Sequence, residues 1–142
     1  MSELVLNVFR MNGLLTAAGD ALAEPVGQTS ARWRVLAAIE ETPLTVAQIA
    51  RAWSLARQSV QRVADVLVRD GLASYVTNPS HRRAQLVRIT PRGRAALRTI
   101  RAGQRAWADE LGAAIGGKEL QEANKTLVAV LRALESRRRR GR

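Results

Sequence analysis

The stretch Ser54-Leu55-Ala56-Arg57-Gln58-Ser59-Val60-Gln61-Arg62-Val63-Ala64-Asp65-Val66-Leu67-Val68-Arg69-Asp70-Gly71-Leu72 has the periodicity of a two-faced helix. At helical spacing Ala56, Val60, Val63, Ala64 and Leu67 share one side, and Arg57, Gln58, Gln61, Arg62, Asp65 and Arg69 fill the opposite arc. Ser54 is expected to cap the first free amides, and Gly71 stands where a left-handed residue closes a last turn. A helix that is merely solvated more often carries Glu and Lys in i,i+4 pairs, although taken alone an Arg-rich amphipathic helix is also read as a solvated face. This polar arc is built instead from Arg and Gln, whose forked donors and acceptors match guanine and adenine edges in a DNA major groove.

The flanking segments sharpen that assignment. Upstream, Thr45-Val46-Ala47-Gln48 has the spacing of a capping box and opens a short helix to about Trp53, with Val46, Ile49 and Ala50 inward. Two short helices joined this tightly, the second bearing the polar face, form a helix-turn-helix pattern. Arg51 and Trp53 near the turn could touch phosphate, and Trp53 could equally pack there. Downstream, Leu72 to Thr77 and Ala84 to Thr90 are β-branched and roughly alternating, around the turn chemistry of Asn78-Pro79-Ser80-His81-Arg82-Arg83. A hairpin with a basic tip in this position is the wing of a winged helix, and arginines at its tip can enter the minor groove.

Further out, about Glu3 to Leu22 carries a broad apolar stripe at helical spacing, followed by a connector from Ala23 to Gln28 containing Pro25 and Gly27. Thr29 or Ser30 caps a second helix expected to reach about Glu41 through Trp33, Leu36, Ala37 and Ile39; Pro43-Leu44 is a short extended piece. Thr90-Pro91 joins an N-cap residue to a proline at the first helical position and starts a long helix to about Leu111. Gly112 to Gly117 is the expected break, Lys118 to Arg137 the last helix, and the arginine run after Ser136 a disordered tail adding nonspecific DNA affinity. The fold class is therefore mainly α with a small β-hairpin wing, an α+β arrangement.

The 142 residues suffice for one domain, and a 46% hydrophobic content supports a folded core. The net charge is +11, and its excess is concentrated: from residue 51 to 105 twelve arginines stand against Asp65 and Asp70 alone. That concentration calls for a polyanionic partner and salt-dependent binding. No cysteine is present, which excludes disulfides and Cys-ligated zinc, and a lone His81 does not make a metal site. No catalytic residue or cofactor is expected, because Asp65, Asp70, Asp109 and Glu110 stand in no catalytic spacing. No apolar run approaches membrane-spanning length, so no membrane partner is expected and the chain reads as cytoplasmic.

The order of elements resembles the MarR family of bacterial winged-helix transcription regulators. The carriers are Gln58-Ser59-Val60-Gln61-Arg62-Val63 with Leu67 and Asp70-Gly71-Leu72, then Asn78-Pro79-x-His81-Arg82-Arg83-Ala84, then Leu86-Val87-Arg88-Ile89-Thr90-Pro91-x-Gly93. The resemblance implies one domain over 1–142: a winged-helix DNA-binding lobe over 28–92, interlocking dimerisation helices over 1–24 and 93–137, and a basic tail over 138–142. The wide apolar stripes of the first and last helices agree with such a homodimer. Two lobes on a two-fold axis imply a pseudo-palindromic operator. Relatives often carry an acid at the wing tip that holds an arginine. His81 stands there in this chain, and a neutral imidazole accepts from Arg83 more weakly than a carboxylate would. The family also implies a small aromatic or amphipathic effector, for which Arg10, Leu14, Leu15, Trp33, Arg34 and Leu36 are the candidate lining, although their apolar members are more simply core.

The sequence thus points to a regulator, expected to be a repressor, whose partners are double-stranded DNA and a second copy of itself. Ser54 and Ser59 are expected to meet phosphate, Arg57, Gln58, Gln61 and Arg62 to read base edges, and Arg82 and Arg83 to enter the minor groove. The alternative is a basic protein that coats nucleic acid without sequence preference.

Overall fold

The computed structural model describes residues 1–81 and 83–140. The chain divides into two compact units, Met1–Gln104 and Arg105–Arg142. In the first, helix α1 (Ser2–Ala23) leads into a 3-10 turn over Glu24–Val26, and Gly27 reverses the chain in a left-handed conformation (φ 66°). Thr29 caps helix α2 (Ser30–Ala38), its Oγ1 accepting from Arg32 N at 3.3 Å. The next amide, Ser30 N, donates to Asp20 Oδ1 at 2.7 Å, which ties α1 to α2 and holds the Asp20 carboxyl below the usual carboxylate range.

α2 stops at Ala38, short of the expected Glu41. Pro43 disfavours helical backbone at Thr42, and the Glu40 carbonyl accepts from Arg94 Nη1 at 2.9 Å. The extended piece that follows is strand β1 (Leu44–Thr45). It pairs antiparallel with β3 (Leu86–Ile89), which also pairs with β2 (Ala73–Val76), so the hairpin is part of a three-stranded sheet of order β1-β3-β2. Thr45 ends β1 and caps helix α3 (Val46–Ala52) with both arms of a capping box: Gln48 N donates to Thr45 Oγ1 at 3.2 Å, and Thr45 N to Gln48 Oε1 at 2.8 Å.

Helix α4 (Arg57–Arg69) begins later than Ser54, and the expected Ser54 cap does not form. Ser54 lies in left-handed backbone (φ 53°) and finishes α3 instead: Leu55 N reaches back to Ala50 O at 2.8 Å, the wrap that ends a helix. The N-cap of α4 is Ala56, which is exposed rather than inward, and no side chain caps the helix. At the other end Gly71 (φ 73°) closes α4 as expected, with Leu72 N donating to Leu67 O at 2.8 Å.

The core gathers Leu36, Ile39, Ile49, Val60, Ala64, Leu67, Val87, Ile89 and Leu97 from four helices and the sheet. Each fully buried Leu or Ile contributes about 1.5–3 kcal/mol by leaving water. Helix α5 (Pro91–Ile115) starts at the proline as expected. Thr90 Oγ1 accepts from Gly93 N at 3.1 Å and donates to Gly71 O at 2.8 Å, locking the start of α5 to the end of α4.

In the second unit α5 continues through Ala113 and Ala114 to Ile115, past the expected break at Gly112. Alanine sustains a helix, and only left-handed Gly116 (φ 102°) ends it. Leu120 Cδ1 lies 3.6 Å from where a Cβ on Gly112 would stand. Helix α6 (Gly117–Arg140) extends beyond Arg137, so the arginine run through Arg140 is helical rather than the disordered tail expected of it. The fold is mainly helical with a small antiparallel sheet, in agreement with the fold class.

Candidate nucleic-acid interface

The burial of α4 follows its sequence pattern. Val60, Ala64 and Leu67 are buried, Val63 is half-buried, and Arg57, Gln58, Ser59, Gln61, Arg62, Asp65 and Arg69 are exposed. Without a side-chain cap, the first amides of α4 lack intrahelical partners, a setting suited to phosphate oxygen, and Ser54 and Ser59 are exposed. Arg51 and Trp53 are exposed in the same turn, Trp53 at 44%.

The wing tip is shaped by Asn78, whose Oδ1 accepts from Ser80 N at 3.0 Å and whose carbonyl accepts from His81 N at 3.2 Å. His81 and Arg83 are exposed; Arg82, expected beside Arg83 in the minor groove, lies outside the described residues. An open cleft of about 440 Å³ separates α4 from the wing. Arg57, Gln58 and Gln61 line it from α4, Tyr75, Arg83, Ala84 and Gln85 from the wing, and Thr45, Val46 and Ala47 from the start of α3. Readout residues and the wing arginine therefore border one concavity, whereas Ser54, Ser59 and Arg62 do not line it.

In the sequence pattern Tyr75 is only a strand position, and the structure gives it a place in the site. Its hydroxyl donates to Asp65 Oδ1 at 2.5 Å and accepts from Gln61 Nε2 at 2.7 Å, while Gln61 Nε2 also donates to Asp65 Oδ1 at 2.9 Å. The wing strand is thereby fastened to the exposed face of α4. Partial burial and the neighbouring carboxylate push the Tyr75 phenol up to about 12, and the bond from Tyr75 holds the Asp65 carboxyl below its usual range. Two signals were present in the sequence: Asp65 is a lone acid in an otherwise Arg/Gln arc, and Gln61 precedes it by four residues, a spacing at which Gln and Asp bond on a helix.

The candidate effector residues spread over α1 and α2. Arg10, Leu14 and Leu15 are exposed, Leu14 at 73%; Trp33 and Arg34 are half-buried; Leu36 is fully buried among core side chains. The Arg34 Nε is buried and has no acceptor among the described residues.

Residues 27–84, which hold the helix-turn-helix and most of the wing, match the model of the MarR family. The uncharacterized protein Rv2011c of Mycobacterium tuberculosis is 37% identical over 138 residues, spanning 97% of this chain and 96% of the relative. The chain belongs to the MarR family. Among solved MarR-family structures, Sco5413 of Streptomyces coelicolor superposes with a TM-score of 0.82 at 25% identity, over 95% of each chain. The M. tuberculosis regulator MosR, solved in complex with DNA, matches with a TM-score of 0.74 at 24% identity, over 92% of this chain and 96% of that one. Family and fold alike are those of DNA-binding transcription regulators and not of enzymes. No helix among the described residues is long and apolar enough to cross a membrane.

Proposed function

We propose that this MarR-family chain works in the cytoplasm as a homodimer that binds a pseudo-palindromic operator and represses by blocking access to the promoter. One observation carries the reading: Arg57, Gln58 and Gln61 of α4 and Arg83 of the wing border a single cleft and point exposed hydrogen-bonding groups at whatever fills it. In this scheme residues 28–92 are the DNA-binding lobe. Arg57, Gln58, Gln61 and Arg62 read base edges, Ser54 and Ser59 hold phosphate, and Arg82 and Arg83 reach the minor groove. MosR, which shares this fold, was solved in complex with DNA, and this supports DNA as the partner.

Residues 1–24 and 93–137 serve as dimerisation helices, with 138–142 a basic extension. Exposed Val5, Leu6, Phe9 and Leu14 on α1, and separately Leu131 and Leu134 on α6, supply the apolar surface that a second copy would cover. The reading extends to a small aromatic or amphipathic acid as releasing ligand near Arg10, Leu14, Leu15, Trp33, Arg34 and Leu36, because the unpartnered Arg34 Nε suits a carboxylate.

The experiment is selection of bound genomic fragments, followed by competition against random duplex. A specific regulator prefers its site by about 10³-fold or more. A preference below about tenfold means that the chain coats nucleic acid, and the proposal fails. Arg62→Ala is expected to cost ~1–3 kcal/mol and relax one base pair, and Arg83→Ala to weaken all sequences alike and lower the salt dependence.

A further inference from the structure

Gln61 presents a carboxamide to the groove, and a free carboxamide is ambiguous. Rotated one way it offers an acceptor to an exocyclic amino group, and rotated the other it offers donors to guanine or thymine oxygens. The contacts of Gln61 remove that ambiguity. An ionised Asp65 carboxylate only accepts, so the Gln61 atom that lies 2.9 Å from Asp65 Oδ1 must be the nitrogen. The phenol of Tyr75 spends its one proton on the same Asp65 oxygen and so faces Gln61 Nε2 with a lone pair, at 2.7 Å. Two acceptors, one on the helix and one on the wing, thus hold the nitrogen end. Among the described residues no donor reaches Gln61 Oε1, and the side chain is exposed.

We infer that Tyr75 is a specificity-determining residue that never touches a base: through the Gln61–Asp65–Tyr75 triangle it commits Gln61 to present its oxygen, so that the chain selects a base whose exocyclic amino group faces the major groove, adenine or cytosine, at the contacted position. This rests on the reading of α4 as the readout helix. It also gives the lone acid of the DNA-facing arc a purpose. Asp65 would repel phosphate if it faced the backbone freely, but here its charge is turned toward the wing and orients a neighbour.

The test is a binding titration of the full chain against the selected site and its complete set of single-base variants. Wild type, Gln61→Ala, Tyr75→Phe and Asp65→Asn are compared, each shown by circular dichroism to be fully folded at the titration temperature. Wild type is expected to favour adenine or cytosine by about tenfold or more at one position per half-site, and Gln61→Ala to lose that preference there. Tyr75→Phe keeps the ring and its packing but frees the carboxamide. It should bring guanine and thymine to within about threefold of adenine and cytosine at that position alone, leaving the others unchanged. Asp65→Asn removes the acceptor-only partner and should act in the same direction. A preference for guanine or thymine at the Gln61-dependent position overturns the inference, as does a Tyr75→Phe profile identical to that of wild type. A wild type with no site preference at all overturns the proposed function as well. A specific wild type whose selectivity ignores Gln61 overturns the inference alone.

Discussion

Arg101 grips Glu40 with both ends of its guanidinium, Nη1 2.7 Å from Oε1 and Nη2 2.5 Å from Oε2, across sixty-one residues of sequence. Arg94, two turns earlier on α5, holds the Glu40 carbonyl at 2.9 Å. The end of α2 is therefore clamped to α5 at two points, through a planar two-bond geometry that Lys could not reproduce.

The clamp is partly exposed, which limits what it contributes. A double-mutant cycle of Glu40→Ala and Arg101→Ala, read by urea unfolding, should return a coupling of about 0.5–1.5 kcal/mol. A coupling near zero would show the pair to be ornamental in solution. Arg101→Lys should recover less than half of it.

Gly93 should tolerate no side chain. A Cβ there would run into the carbonyl oxygen of Leu72 and stand 2.9 Å from Ile89 Cγ1, because the first turn of α5 packs against the backbone entering β2. Backbone cannot step aside as a side-chain tip can. Gly93→Ala should cost about 2–3 kcal/mol and lower the melting temperature by several degrees, although alanine is the better helix former. An unchanged melt would mean that α5 can shift without cost.

The Tyr75 phenol can be followed without ambiguity, since it is the only tyrosine in the chain. Its folded value, about 12, lies above the ~10 of an unfolded chain. Its partial burial and its bond to Asp65 therefore contribute stability that is fully present below pH ~10 and is lost as pH rises through the folded value. Tyrosinate absorbance should appear late in the native protein, and earlier in Asp65→Asn. Asp65 works in the opposite sense. Its lowered value means that the stabilisation is present above the ordinary carboxylate range and fades as acid protonates it in the fold. Native and urea-unfolded samples that titrate together would remove the bond from solution.

Association should depend on the outer face of α1. Phe9 is 68% exposed beside exposed Val5 and Leu6, and a charge there opposes burial against a second copy. Phe9→Glu should leave helicity unchanged, convert a dimeric sedimentation profile to a monomeric one, and weaken operator binding by more than tenfold, since each lobe would then bind alone. A wild type that sediments as a monomer would refute the two-fold arrangement.

Much of this molecule is legible along the chain because the relevant physics is local. The Arg/Gln face of α4, the Thr45/Gln48 box, the closing turn at Gly71 and the Thr90-Pro91 start each depend on residues within a few positions of one another. Local hydrogen bonds and helical periodicity dictate them wherever the segment sits. Element ends are less legible, because a distant partner or a local backbone wrap decides them. α2 ends early where α5 arginines bind Glu40, and Ser54 finishes one helix rather than starting the next because the backbone wraps back to Ala50.

The sequence by itself determined the order of helices and hairpin and which side of α4 faces outward, since composition and spacing suffice for these, and its motifs carried the resemblance to the family. Only the tertiary structure decided that β1 joins the wing, that Gly93 lies against Leu72, and that Asp65 faces Tyr75 rather than solvent. Those contacts join residues ten or more positions apart. Their distances are set by the packing of α4 and α5 on the sheet, and no one-dimensional pattern encodes them.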